Sequence, residues 1–218
     1  MTRVYDITPP LTARLGVWPG DTPMTREVLC ELAKGDSVTL STIRATVHLG
    51  AHADGPNHYT PSGVGIGERD LSYYLGLCMV VDAPVARGSR VRVEDVARHL
   101  PGGTAGGLAA IAAPRVLIRT GTFPDFQAWN DDFAGLEPAL VDALAARGVI
   151  TIGVDTPSVD LQTSKDLPAH AACARHDISI LEGLALDAVT PGAYELIALP
   201  LRLMGFDASP VRAVLREL

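Results

Sequence analysis

Three of the six histidines and one aspartate fall within eleven residues, His48-Leu-Gly-Ala-His52-Ala-Asp54-Gly-Pro-Asn-His58. Imidazole and carboxylate are the donors that zinc, manganese or iron take, so this density points to a metal site. A helix, the usual way to bring side chains four apart onto one face, is disfavoured. Gly50, Gly55 and Pro56 interrupt it, and the preceding residues 41–47 are rich in β-branched types. In an extended chain the parity is informative: His48, His52, Asp54 and His58 are all even-numbered and would share one face. Full extension separates the alpha carbons of His48 and His52 by about 13 Å, near the limit for two imidazoles on one ion. The chain is therefore expected to curl, with Gly50 permitting the bend.

An ion bound by this segment needs a further donor or an open position. Glu182 lies in Ile178-Ser-Ile-Leu-Glu182-Gly-Leu-Ala-Leu186, where burial requires a compensating cation or hydrogen bonds; the alternative is a sheet edge from which the side chain reaches water. His170 falls in an expected helix that starts at Pro168, beside the small residues Ala169, Ala171 and Ala172. His176, six residues on, is rotated about 240° around a helix axis, so the two cannot face one site. Flanked by Arg175 and Asp177, His176 reads as a solvated cap, and His99 reads as surface.

The elements that must position these groups are expected to be strands more often than helices. Residues 4–7, 26–32, 38–47, 79–82, 116–119, 149–154 and 194–199 are strand-length apolar or β-branched runs, with Lys34-Gly-Asp36 as a hairpin connection and the histidine-rich segment ending the run 38–47. The clearest helix starts at Pro138, carries the stripe Leu140, Val141, Leu144 and stops at Gly148. Residues 93–100 and 168–175 are further helices, and 101–107 a flexible glycine-rich connection without the Gly-Lys-Ser/Thr of a phosphate loop. The expected fold is α/β: one domain over residues 1–218, with a mixed, barrel-like sheet core and flanking helices.

Composition narrows the classes. With 47% hydrophobic and 20% charged residues the chain is an ordinary globular one, and its net charge of −7 without a basic cluster argues against a nucleic-acid surface. The three cysteines, Cys30, Cys78 and Cys173, are scattered and read as reduced, mostly buried thiols. The first residues lack the apolar core of a signal peptide and no run spans a bilayer, so the expectation is a cytoplasmic protein without membrane partners.

The pattern His48-x-Gly50-x-His52-x-Asp54-x-Pro56-x-His58 resembles the signature of the metal-dependent cyclase superfamily and, within it, the bacterial kynurenine formamidase family. The similarity extends to the Trp18-Pro-Gly-Asp21 loop, to residues 153–160, and to His170 followed twelve residues later by Glu182; Ala51 and Tyr59 stand where the family pattern has threonine and phenylalanine, and neither change removes a donor. The resemblance implies a swivelling β/β/α-type fold, a homodimer and two divalent ions, zinc first and manganese as the alternative. It assigns one ion to His48, His52 and Asp54 and the second to Asp54, His170 and Glu182, with the aspartate bridging. It also implies hydrolysis of an aromatic formamide, N-formyl-L-kynurenine, to L-kynurenine and formate in tryptophan breakdown. Paired ions suit amide hydrolysis because they acidify water and polarise a carbonyl.

His58, beyond that ligand set, is expected to shuttle a proton to the departing arylamine, the competing role being a third imidazole ligand. Trp18 is the candidate substrate-binding residue, by stacking on the aromatic ring, although a structural indole is the alternative. Asp155 and Asp160 fit either support of the site or turn and cap duties. No Gly-x-Ser-x-Gly elbow is present. Rival readings are another hydrolase of the superfamily, such as an isatin hydrolase, against which Trp18 and the Ser158 region weigh, and a non-catalytic metal-binding module.

Overall fold

The structure is a computed structural model and describes residues 2–218. In chain order the elements are β1 (Val4–Asp6), β2 (Thr25–Cys30), β3 (Leu40–Arg44), β4 (His52–Asp54), β5 (Leu75–Asp82), β6 (Arg90–Val91), α1 (Val93–Ala97), α2 (Gly103–Gly106), β7 (Arg115–Arg119), β8 (Gly135–Leu136), α3 (Pro138–Ala145), β9 (Thr151–Val154), α4 (Pro168–Arg175), β10 (Ser179–Glu182), β11 (Gly192–Ile197), β12 (Ala208–Pro210) and β13 (Val214–Glu217). Among the described residues, nine strands form one curled, mixed sheet in the order β1-β13-β11-β5-β7-β9-β10-β4-β12. Its middle, β5-β7-β9-β10, is parallel. Parallel neighbours need crossovers, and α1 with α2, α3 and α4 lie in those three connections. The expected α/β class with flanking helices is thus the observed one.

The strands of the parallel centre alternate between two buried faces. Val116 and Ile118 of β7 pack with Ile152, Ile180 and the helical side chains Leu140, Val141 and Leu144, whereas Leu117 packs on the opposite side with Val80, Leu181 and Leu196. Burial on both faces is why these strands read as continuous apolar runs rather than alternating ones. Each fully buried leucine or valine of the α3 stripe contributes about 1.5–3 kcal/mol. Proline at the first helical position opens α3, and Gly148, at φ +78°, follows its last turn.

The sheet faces matter for the site. Ile180 lies on the helix-covered face, and Glu182, two residues on along β10, shares that side. Glu182 pairs with His52 across the β10-β4 ladder, and Asp54 of β4 pairs with Ala208 of the edge strand β12. The helix above this corner is α4, which carries His170.

Several expectations need correction. β3 ends at Arg44, and residues 45–51 are irregular, so the histidine-rich segment does not continue that strand. Gly50 does make the expected bend, at φ +58°. Only His52 and Asp54 share the face of a strand; residues 56–58 form a 3-10 turn in which proline takes the first position. The glycine-rich connection holds one short helical turn, α2. β2 and β3 form a separate two-stranded ribbon with Val28, Leu29, Leu40 and Ile43 exposed. Cys78 and Cys173 are buried and Cys30 is half-buried, all three as free thiols. No helix among the described residues is long and apolar enough to cross a membrane.

Candidate metal centre

Four local devices bring the candidate donors together. The bend at Gly50 returns His48 toward β4, so the His48 and His52 rings approach to 5.0 Å between centroids. Pairing of β10 with β4 sets Glu182 beside His52. Gly183 then turns at φ +67°, with the Gly50 carbonyl so close that a Cβ there would collide with its oxygen. Finally, Asp160 accepts hydrogen bonds from the backbone N–H groups of Ala169 and His170, fastening the first turn of α4, whose own N-cap residue, Leu167, offers no side-chain hydrogen bond.

The three imidazoles share one pattern. His52 Nδ1 donates to the Gly50 carbonyl at 2.8 Å, an oxygen that can only accept, so Nε2 presents its lone pair inward. It faces Asp54 Oδ1 at 3.6 Å and Glu182 Oε2 at 3.3 Å. His170 Nδ1 meets Asp160 Oδ2 at 2.9 Å, which turns its Nε2 toward Asp54 Oδ2 at 3.5 Å and Glu182 Oε1 at 3.7 Å. His48 Nε2 meets Asp207 Oδ2 at 3.0 Å, leaving Nδ1 facing Asp54 Oδ1 at 3.2 Å. Each ring is therefore held by its outer nitrogen while its inner nitrogen converges on Asp54. Outer hydrogen bonds of this kind orient histidines that ligate metals.

Asp54 occupies the centre with its side chain fully buried, and neither of its oxygens has a hydrogen-bond partner; His52 Nε2 is likewise buried and unpaired. Such orphaned groups are costly, and a cation between them removes the cost. The donor set fits a divalent ion: His48, His52 and Asp54 offer atoms all within 4.8 Å of one another, as do Asp54, His58 and His170. The two oxygens of Asp54 face opposite partners, Oδ1 toward His48 and His52 and Oδ2 toward His170.

Without an ion the centre's own charges balance one another, so that metal binding would have to displace protons from the rings. Burial disfavours the charged form of Asp54, but the surrounding imidazoles outweigh it and hold the carboxyl well below its ordinary range. Burial also works against protonation of His48 and His170. The carboxylates beside them prevail, raising His48 to about 9 through Asp54 and Asp207 and His170 to about 10 through Asp160 and Asp54. His58 goes the other way, because burial is its largest influence and lowers its pKa. It sits 4.3 Å from His48 between ring centroids, with Nδ1 3.6 Å from Asp207 Oδ2.

His48, His52, His58, His170 and Glu182 line one side of a cavity of about 490 Å³. Its upper wall is aromatic, with Trp18, Phe123, Phe126 and Trp129. Trp18 is 37% exposed and meets Trp129 edge to face at 5.7 Å, so the indole both packs and lines the cavity. The structure thus brings His48, His52, Asp54, His58, His170 and Glu182 together and sets Trp18 over them. His176 lies outside, against Asp142, and His99 is exposed. Asp155 is also outside: it accepts from the backbone of Thr120 and Gly121 and from the Thr120 hydroxyl, a fold-holding role. Asp207 and the three further aromatics of the wall carry no spacing signal in the sequence and emerge only from the fold.

The same arrangement of elements is found in solved structures. A protein described as a potential metal-dependent hydrolase with cyclase activity is 24% identical, over 100% of this chain and 99% of that one, with a TM-score of 0.81. An isatin hydrolase A from Ralstonia solanacearum is 20% identical, over 100% and 92%, with a TM-score of 0.80. An isatin hydrolase bound to the product analogue thioisatinate matches to the same TM-score, 0.80, at 20% identity over 99% of this chain and 92% of that one. At these identities the likeness is one of fold. The Cyclase family profile matches the sequence itself, over residues 5–161, a span that holds the whole histidine-rich segment and Asp160. The chain belongs to the Cyclase family.

Proposed function

We propose that this protein is a metal-dependent amide hydrolase that cleaves N-formyl-L-kynurenine to L-kynurenine and formate. The observation that carries the reading is Asp54, a fully buried carboxylate with both oxygens unpaired and three inward-turned imidazoles around it. In this reading His48, His52 and Asp54 hold one divalent ion, and Asp54, His170 and Glu182 hold the second, zinc being the first choice. When bound, the ions would acidify a water molecule and polarise the formyl oxygen.

The chain's own residues supply the remaining steps. The aromatic wall with Trp18 excludes water and stacks on the substrate ring. His58 takes the proton as the water oxygen bonds to the formyl carbon, and returns it to the aryl nitrogen as the carbon–nitrogen bond breaks. Formate and the free arylamine are the products, with no other reactant consumed.

One observation favours a second substrate. Among the described residues that line the cavity there is no lysine or arginine to pair with the carboxylate of an amino-acid substrate. A neutral aromatic amide such as isatin has no such need, and isatin hydrolases share the fold. The deciding experiment compares formate release from N-formyl-L-kynurenine with isatin ring opening, before and after chelation and after return of zinc or manganese. The formamidase reading expects metal-dependent formate release to dominate. Metal-dependent turnover of isatin alone would move the assignment to the second substrate, and turnover that survives exhaustive chelation would end the metal-hydrolase reading.

A further inference from the structure

Asp207 lies outside the proposed ligand set and outside the histidine-rich segment, yet one of its carboxylate oxygens faces two of that segment's imidazoles. Asp207 Oδ2 accepts from His48 Nε2 at 3.0 Å and lies 3.6 Å from His58 Nδ1. The placement is built into the sheet. Asp207 directly precedes β12, whose residues Ala208, Ser209 and Pro210 pair with Asp54, Ala53 and His52. The Asp207 carbonyl also accepts from Gly55 N–H at 2.7 Å, the residue after Asp54. Gly205, at φ +75°, turns the chain into this approach. The ladder that positions the central aspartate therefore also positions Asp207.

We infer that Asp207 is a positioning residue that fixes the tautomer and orientation of both His48 and His58. A carboxylate can only accept, so the proton of His48 is kept on Nε2 and the lone pair of Nδ1 is aimed at Asp54. The same oxygen, 3.6 Å from His58 Nδ1 and so beyond a hydrogen bond, still favours the proton on that nitrogen by its charge, leaving Nε2 as the nitrogen free to exchange a proton. One carboxylate thus holds a metal-facing ring and the proposed proton shuttle, whose ring centroids are 4.3 Å apart, in fixed relation. The other two metal-facing rings already have their own outer partners, the Gly50 carbonyl and Asp160, which leaves this role to Asp207.

The inference rests on the proposed ligand set, and its test separates the two. Asp207→Asn, Asp207→Glu and wild type are compared by nitrogen-15 shifts of the histidine rings in the metal-free protein, recorded above the value of about 9 to which His48 is raised so that the ring is neutral, by zinc affinity against a competing chromophoric chelator, and by kcat and KM. Half of the Asp207 side chain is exposed, so the fold should tolerate the changes, which melting curves verify. In Asp207→Asn, His48 and His58 are expected to shift toward mixed tautomers, zinc affinity to fall about 10- to 100-fold and kcat to fall similarly with little change in KM. Asp207→Glu should restore part of each. Wild-type tautomers and zinc affinity in Asp207→Asn would overturn the inference, even where turnover is lost. A wild-type protein that binds no zinc would remove the proposed centre itself, while the ring shifts would still decide whether Asp207 sets the tautomers.

Discussion

Replacing Asp160 by asparagine tests how far the centre depends on a carboxylate that never touches the cavity. Asp160 has no exposed surface and accepts from Ala169 N–H, His170 N–H, His170 Nδ1–H at 2.9 Å and Arg90 Nη1 at 2.8 Å. Asparagine keeps the shape and one acceptor oxygen, but sets an NH2 against at least one of these donors and removes the charge opposite Arg90. Losing two charge-assisted hydrogen bonds, at about 1.5–3 kcal/mol each, gives a destabilisation of about 3–6 kcal/mol. For a chain of this length about 2–4 °C accompanies each kcal/mol, so the metal-free variant should melt about 6–24 °C lower. If the new amide faces His170, the ring must move its proton to Nε2, which points it at Asp54 where an ion would sit. Zinc affinity should then fall about 10- to 100-fold, read by chelator competition. The pH dependence has a definite sign. Burial raises the Asp160 carboxyl, but His170, Arg90 and the helix N–H groups outweigh it and hold it below its ordinary value. Its stabilising share is complete above about pH 4 and is lost as the pH falls through the folded value, so the gap between variant and wild type should close in acid. A variant that melts within about 2 °C of wild type at neutral pH and binds zinc normally would refute the account.

Two other substitutions probe different links. His58→Ala should retain its metal and melting temperature while turnover falls about 100- to 10,000-fold, and less for substrates with better leaving groups; a matching loss of metal would make His58 a ligand instead. Gly183→Ala places a methyl group against the Gly50 carbonyl at φ +67° and should cost about 2–4 kcal/mol together with metal occupancy, because Gly50 anchors His52. Gly148→Ala, at φ +78° with open space around it, isolates backbone strain and should cost only about 1 kcal/mol; equal melting shifts for the two variants would refute the steric argument.

Where local rules suffice, the sequence reads well. α4 spans Pro168–Arg175 as its proline and alanines predict, and α3 buries the stripe Leu140, Val141 and Leu144. The apolar runs that became β7 and β9 lie within a few residues of their expected positions because these strands are buried on both faces, whereas β5 and β11 begin earlier than their runs, on residues that include exposed ones. β12 escapes notice for the opposite reason. It is three residues long and ends in Pro210, a residue that argues against a strand except at a sheet edge, which is where β12 lies. The shared face expected for residues 48–58 holds only for His52 and Asp54: the bend expected at Gly50 leaves His48 outside the strand, and Pro56 opens a 3-10 turn that carries His58.

The donors show the same division between local and distant information. The density of histidines announces a metal centre, but a motif eleven residues long holds only part of the proposed donor set. Glu182 reaches it through the pairing Glu182↔His52, and Asp207 through Ala208↔Asp54, contacts between segments more than 120 residues apart. Strand pairing has a period of two, so a slip of one residue in β10 would turn Glu182 to the opposite face and present Leu181 to His52. The apolar packing of Leu181 with Leu117 and Leu184 on that opposite face is what prevents the slip. The chemistry of the centre therefore depends on hydrophobic side chains that point away from it, and substitutions there should disturb metal binding through register rather than through contact.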